Sequence, residues 1–396
     1  MTYQCVSGER KIYVRKASAQ AVGKVAKIIF DFDGVLVYTA ESFRQAIRSV
    51  VDFYFLEILD LKGEKGKLAT LKDIQKFKDS GLYNNDWNLS YTLITYYLSI
   101  VFRHLQQKHV FQDFAKQFNE IQFSELKSFL KTLKKVGEYI KRNKISATEL
   151  GEMKNDPSIG LDSFLAQVEI KKQTSLENTL KFVLKNVGEG EIELVKKLVP
   201  YYPENSDLHK RLFEELYLGK ELFSRFYSLP SIFKFDESYL EKEKFIPSKE
   251  TFDALHVRFG NFAIYSEKPR LQGIYLLEKS RFQNYFDEKW ALFGEDLAEY
   301  DGSILGKPNP TFFIELIKNI DEKDGQIAYV GDGVADVLMI KNARLEGLSN
   351  ILFFGVLCSS PCSNELFSQY IKHEAEVIMT DVNDLPYLFA NLEKGF

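Results

Sequence analysis

Cysteine is scarce in this chain, with three residues in 396: Cys5, Cys358 and Cys362. An odd handful spread over that length is poor material for a disulfide framework and points to a reducing, cytoplasmic compartment. Cys358 and Cys362 share a CSSPC stretch, but with no second Cys/His pair beside them they lack the four ligands of a structural zinc site. Long hydrophobic runs are missing as well. The most apolar aromatic stretch, 91–102, falls short of the ~20 residues that cross a bilayer. The opening MTYQCVSGERKIYVRK carries charges where a signal peptide needs an apolar core, so the expectation is a soluble protein with no membrane partner. Neither sign of charge is in excess: 52 Lys plus Arg against 56 Asp plus Glu give a net charge of −4, which excludes a bulk attraction to nucleic acid. No repeat or low-complexity segment occurs, and 45% hydrophobic residues exclude global disorder.

What is present suits about two domains, at roughly 100–200 residues each. Short apolar runs that end in turn residues recur: 28–30 before DFDG, 262–265 before SEKPR, 327–330 before GDGVAD, then 351–356 and 377–379. Helical patterns separate them, which predicts βαβ units around a parallel sheet. Between the first run and the rest, from about residue 39 to about 249, amphipathic helical spacing dominates. Leu126, Phe129, Leu130, Leu133, Val136 and Ile140 form one such stripe, with lysines on the other face. The fold expected is an α/β, Rossmann-like core made of 1–37 and 251–396, interrupted by an inserted all-helical domain at 38–250.

The chemistry-bearing residues sit where those strands end, which is where open α/β sheets place their sites. Asp31 and Asp33 flank Phe32 and, two apart in extended chain, project to one side. Like charges that close need a positive partner, and a hard divalent cation is the obvious one. Asp332 adds a further oxygen ligand, and Asp336, one turn into the following helix, can support it. Ser266 offers a hydroxyl and Lys307, in GKPNP, a cation on a constrained loop. Taken singly, each has an ordinary reading as a turn, N-cap or surface residue; their joint order at strand ends favours a site.

DFDGVLV, the strand-ending Ser266, GKPNP and GDGVAD in this order resemble the four motifs of the haloacid dehalogenase-like (HAD) hydrolase superfamily. The insertion after the first motif resembles the helical cap of the phosphoglycolate phosphatase-like branch, enlarged. The resemblance implies a hydrolase of phosphoric monoesters, with Asp31 as the nucleophile that becomes an aspartyl-phosphate. It implies Asp33 as the acid that protonates the leaving alcohol and then deprotonates water. It further implies Mg²⁺ held by Asp31, Asp332 and the main-chain carbonyl of Asp33, supported by Asp336, with Ser266 and Lys307 on the phosphoryl oxygens. Dehalogenases of the superfamily lack an acid at the second position, so Asp33 favours phosphate esters. The sequence departs from the pattern at Tyr38, where the family commonly has aspartate.

The expected substrate is a small phosphorylated metabolite. Asn84, Asn85, Asp86 and Trp87 group donors, acceptors and an aromatic face beside Gly81, and form a candidate substrate loop; the alternative is an N-cap leading into the 90–102 helix. Lys220, with Lys268 and Arg270 in the loop after Ser266, are candidates for a second anionic group. Two other readings compete with the phosphatase: a phosphomutase, and a scaffold whose enlarged cap binds a partner.

Overall fold

The computed structural model describes residues 2–7, 10–39, 42–83, 85–121, 125–172, 174–200, 208–297, 306–320, 325–358, 360 and 363–393. Asn84 and Cys362 lie outside them. The chain forms two compact units, one from residues 1–41 and 243–396, the other from 42–242.

Among the described residues the first unit has ten strands: β1 (Tyr3–Ser7), β2 (Ile12–Arg15), β3 (Val25–Phe30), β4 (Val37–Tyr38), β5 (Lys244–Phe245), β6 (Phe262–Tyr265), β7 (Phe286–Leu292), β8 (Gln326–Gly331), β9 (Ile351–Val356) and β10 (Val377–Met379). Eight of them make one sheet in the order β1-β2-β10-β9-β8-β3-β6-β7. From β10 to β7 every pairing is parallel, whereas β1 and β2 add an antiparallel edge, β2 lying antiparallel to β10. The parallel sheet follows from runs such as KIIF, whose Ile28, Ile29 and Phe30 are fully buried because helices cover both faces. Ile29 enters a core with Tyr265, Phe313, Tyr329, Ile340 and Phe353. Phe30, on the opposite face by strand alternation, packs edge-on against Phe262 and Phe286.

Three strands of the eight-stranded sheet carry no long apolar run and are not legible from periodicity. β7 reads FDEKWAL with Glu288 and Lys289 exposed at the sheet edge, a charged protection against edge pairing. β1 and β2 form a short ribbon, and along β2 the buried Ile12 and Val14 alternate with half-buried Tyr13 and Arg15.

The unit's remaining strands, β4 and β5, pair with each other: Val37 opposite Phe245 and Tyr38 opposite Lys244. That pairing ties both legs of the chain to the α/β unit, so its boundaries fall at 41 and 243 rather than at 37 and 251.

Among the described residues every regular element of the second unit is a helix. Its longest helix, Asp86–Gln107, is buried along most of Leu93–Phe102. The helix satisfies inward tyrosines on backbone carbonyls: Tyr96 donates to the Ile159 carbonyl at 2.7 Å and Tyr97 to that of Leu68. Capping boxes fix the starts of Leu71–Asp79 (Thr70 with Asp73) and Ala147–Met153 (Ser146 with Glu149). In Leu126–Arg142 the predicted stripe residues Leu126, Phe129, Leu133, Val136 and Ile140 are buried, and Leu130 is half-buried at its margin. Leu208–Tyr227 breaks at Gly219, whose φ of +69° suits only a residue without Cβ. No helix among the described residues is long and apolar enough to cross a membrane.

Candidate active site

The sheet order sets the position of the site. From β3 the chain proceeds outward to β6 and β7, then returns to the other side of β3 with β8, β9 and β10. The connection changes direction at β3 and β8, and their carboxyl ends open a crevice there. Asp31 extends β3, its N–H bonded to the Val330 carbonyl at 2.9 Å. Phe32 is fully buried between Phe245 and Phe293, with ring centroids 6.1 and 6.0 Å away, and anchors the loop that presents an aspartate on either side. Gly34 follows at φ +78°, and any Cβ there would collide with the Asp332 carboxylate. The glycine is required both by its conformation and by the approach of the β8 turn.

Asp31, Asp332 and Asp336 each offer a carboxylate oxygen, and the three atoms lie within 4.8 Å of one another. Lys307 enters from its own loop, where its N–H is fixed on Glu267 Oε1 at 2.7 Å. Its Nζ lies 2.7 Å from Asp31 Oδ2 and 2.8 Å from Asp336 Oδ1. Asp336 is committed further: Oδ1 accepts from the Tyr329 hydroxyl at 2.9 Å and Oδ2 from the Gly333 N–H at 2.9 Å, which caps the Val334–Leu345 helix. Asp31 Oδ1 accepts from the Phe32 N–H at 2.7 Å.

Burial is the main force on these charges. It raises the Asp31 carboxyl well above the usual range; Lys307 opposes that rise, and the Asp336 and Asp332 carboxylates add to it. For Lys307 burial alone would favour the neutral amine, but Asp31 and Asp336 outweigh it and hold the ammonium charged. Tyr329, pushed up by burial and by the same two carboxylates, stays a hydroxyl donor. Lys307 meets two of these carboxylates, Asp31 and Asp336, and the three hard oxygen donors gathered within 4.8 Å of one another suit a divalent cation.

Asp33 points to a different partner. Its Oδ1 lies 2.9 Å from Lys268 Nζ, which also meets Glu243 Oε2 at 3.1 Å. Ser266, buried at the end of β6, has its N–H on the Leu292 carbonyl at 3.0 Å and accepts the Lys268 N–H at 3.2 Å. The α/β unit therefore gathers Asp31, Asp332, Asp336 and Lys307 into one cluster and joins Asp33 and Ser266 through Lys268. Lys268 is committed to two carboxylates in a fully buried position, and Arg270 binds Asp296 and the Ala291 carbonyl.

The remaining candidates belong to the helical unit, and each has a partner inside it. Asn85 caps the Asp86–Gln107 helix, accepting from the Asn88 N–H at 3.0 Å. Asp86 pairs with Lys78 at 2.5 Å, Trp87 Nε1 donates to Glu214 Oε1 at 3.0 Å, and Lys220 pairs with Asp236 at 2.6 Å. Sequence reasoning passed over Glu243 and Tyr329. Glu243 lies in the charged EKEKF, where nothing marks it as buried, and Tyr329 reads as one more apolar strand residue.

No curated protein matches this sequence. Among solved structures, a crystal structure from the Northeast Structural Genomics Consortium is similar with a TM-score of 0.59 at 17% identity, covering 93% of this chain and 100% of that one. A predicted phosphoglycolate phosphatase from Haemophilus somnus aligns over 92% of this chain and 98% of its own, at 14% identity and a TM-score of 0.39. The first of these likenesses supports the fold. The family model for haloacid dehalogenase-like hydrolases matches residues 27–344, a span that takes in β3, β8 and the whole carboxylate cluster between them, and the chain belongs to that family.

Proposed function

We propose that the protein is a Mg²⁺-dependent phosphatase of the phosphoglycolate phosphatase-like branch, acting on a small phosphorylated metabolite. The observation that carries this reading is the division of labour between the two aspartates at the tip of β3. Asp31 is buried in the carboxylate–lysine cluster, whereas Asp33, with 29% of its side chain exposed, is held apart on Lys268. A nucleophile and an acid need that separation, because each must carry a different protonation state at the same moment.

In the first step an Asp31 carboxylate oxygen attacks phosphorus and the bond from phosphorus to the ester oxygen breaks, while Asp33 gives its proton to the departing alcohol. In the second, Asp33 takes a proton from water as the water oxygen attacks phosphorus. The Asp31–phosphorus bond then breaks, releasing inorganic phosphate and restoring both carboxyl groups. Splitting hydrolysis in this way replaces one difficult step by two easier ones. Lys307 and Ser266 would hold the phosphoryl oxygens on which charge concentrates. Asp31, Asp332 and the Asp33 main-chain carbonyl would hold Mg²⁺. Asp336, whose two oxygens already serve Lys307, Tyr329 and Gly333, suits a supporting place. A divalent cation bound there would neutralise the charge of the transferring group.

The test is hydrolysis of a panel of phosphate esters with Mg²⁺. Turnover by the wild type that vanishes in Asp31→Asn is expected. No turnover of any ester, or equal turnover by the variant, would refute the reading.

A further inference from the structure

Lys268 and Glu243 do more than fill space. Both side chains are wholly buried, while Asp33, at the outer end of the same row, is partly open. Burying a lysine–glutamate pair strips both ions of hydration, a cost that an apolar pair of similar volume would not carry. The main chain of Lys268 is fixed on both sides. The N–H bonds Ser266 Oγ at 3.2 Å and the carbonyl accepts from the Gly294 N–H at 3.0 Å. The Phe32 ring, between the two aspartates, lies 5.8 Å from Nζ.

We propose that Lys268 and Glu243 are a positioning pair for Asp33: Lys268 holds the Asp33 carboxyl toward the leaving-group oxygen, and Glu243 holds Lys268. The inference rests on the phosphatase reading and deepens it, since it names what aims the acid. Two carboxylates on one ammonium give the device its sense. Asp33 Oδ1 at 2.9 Å and Glu243 Oε2 at 3.1 Å hold Nζ between them, so the ammonium has a second charged anchor besides the group it aims. Glu243 is also the first residue of the returning leg and adjoins β5, so the leg that closes the α/β unit is the one that fixes its acid.

A leaving-group comparison separates positioning from mere structure. The substrates are 4-nitrophenyl phosphate, whose alcohol departs without a proton, and phenyl phosphate, whose alcohol needs one. The quantity is kcat/KM, which includes steps only up to release of that alcohol. Wild-type turnover that disappears in Asp31→Asn establishes the reaction first. Lys268→Met is then expected to lower kcat/KM on phenyl phosphate on the order of 10²-fold and on 4-nitrophenyl phosphate less than about 5-fold, as loss of general-acid help would. Glu243→Gln keeps the shape and should shift the same ratio in the same direction, about 10-fold. Adding Lys268→Met to Asp33→Asn should change kcat/KM on phenyl phosphate less than about 3-fold, because the residue being aimed is already disabled. Equal losses on both esters would overturn the positioning role while leaving the phosphatase intact. If circular dichroism shows Lys268→Met unfolded, Glu243→Gln decides by the same ratio. Absence of turnover in the wild type would remove both readings together.

Discussion

The helical unit and the strand tips of the α/β unit bury charge in opposite ways. In the helical unit Glu215, Glu214 and the imidazole of His209 each meet local hydrogen-bond partners. Glu215, fully buried, accepts from Ser231 Oγ at 2.6 Å and from the Ile232 and Phe233 N–H groups at 2.7 and 2.8 Å, with Arg211 at 2.8 Å. Glu214 accepts from Trp87 and Tyr227, and His209 meets Ser90 at 2.8 Å. At the strand tips of the α/β unit buried charges face one another instead, carboxylate beside carboxylate. A buried charge satisfied by backbone and neutral donors is serving the fold. Charges of like sign converging at a strand end raise the local cost, and a fold tolerates that where chemistry is done.

Substitutions can break this contrast. The largest effect is expected at Asp31→Asn, which should lower kcat for any phosphate ester at least about 10⁴-fold, read by phosphate release, with the fold retained. Next, Lys307→Met should cost on the order of 10²–10³ in kcat and also reduce stability, because Asp31 and Asp336 lose their shared cation; chemical denaturation measures the second effect. In the helical unit Glu215→Ala should do the reverse. It leaves two N–H groups and Arg211 without their acceptor, costing about 3 kcal/mol in denaturation, while kcat/KM stays within about 3-fold. A helical-unit glutamate that abolished turnover in a folded protein would erase the distinction.

Mg²⁺ sharpens the comparison from the other side. At 100 times its dissociation constant the ion should stabilise the protein by about 2.7 kcal/mol in a thermal melt, and Asp332→Asn should remove that gain. The smallest effect concerns pH. Burial pushes His209 down to about 3 from its usual 6.5, so the folded state holds it neutral while the unfolded chain protonates it. Its contribution is complete above about pH 6.5 and is lost as pH falls toward 3. At pH 5 the loss is about 2 kcal/mol, at ~1.36 kcal/mol per unit, and His209→Gln should flatten that slope in denaturation titrations.

The parallel strands other than β7 were legible because each is a short run of mostly apolar residues between helical patterns, and β6, β9 and β10 fall on the expected residues. The edge strands were not, since an edge faces water and its charged residues blur the pattern. The carboxylates and Lys307 were legible from their places after strands. Glu243 was not, because burial of a single glutamate in a charged run is decided by tertiary packing alone. In the helical unit the Asn85–Trp87 group reads equally well as ligand or cap, and its contacts are those of a cap with an anchored indole. Lys268 was visible as a cation, but its partners, 235 and 25 residues distant in sequence, were not.

The β4–β5 ribbon bears on how the chain could acquire so large an insertion. Residues 38 and 244 are cross-strand partners, with Cα atoms about 5 Å apart in such a pair. To the α/β unit everything in Ser42–Lys242 is thus a loop whose ends are already clasped. Closing a loop costs chain entropy that grows only with the logarithm of its length, about 0.6 kcal/mol for each doubling. Once the clasp exists, the size of what it encloses scarcely enters the core's folding free energy, and the helical unit was free to grow to whatever dimensions its own packing would sustain.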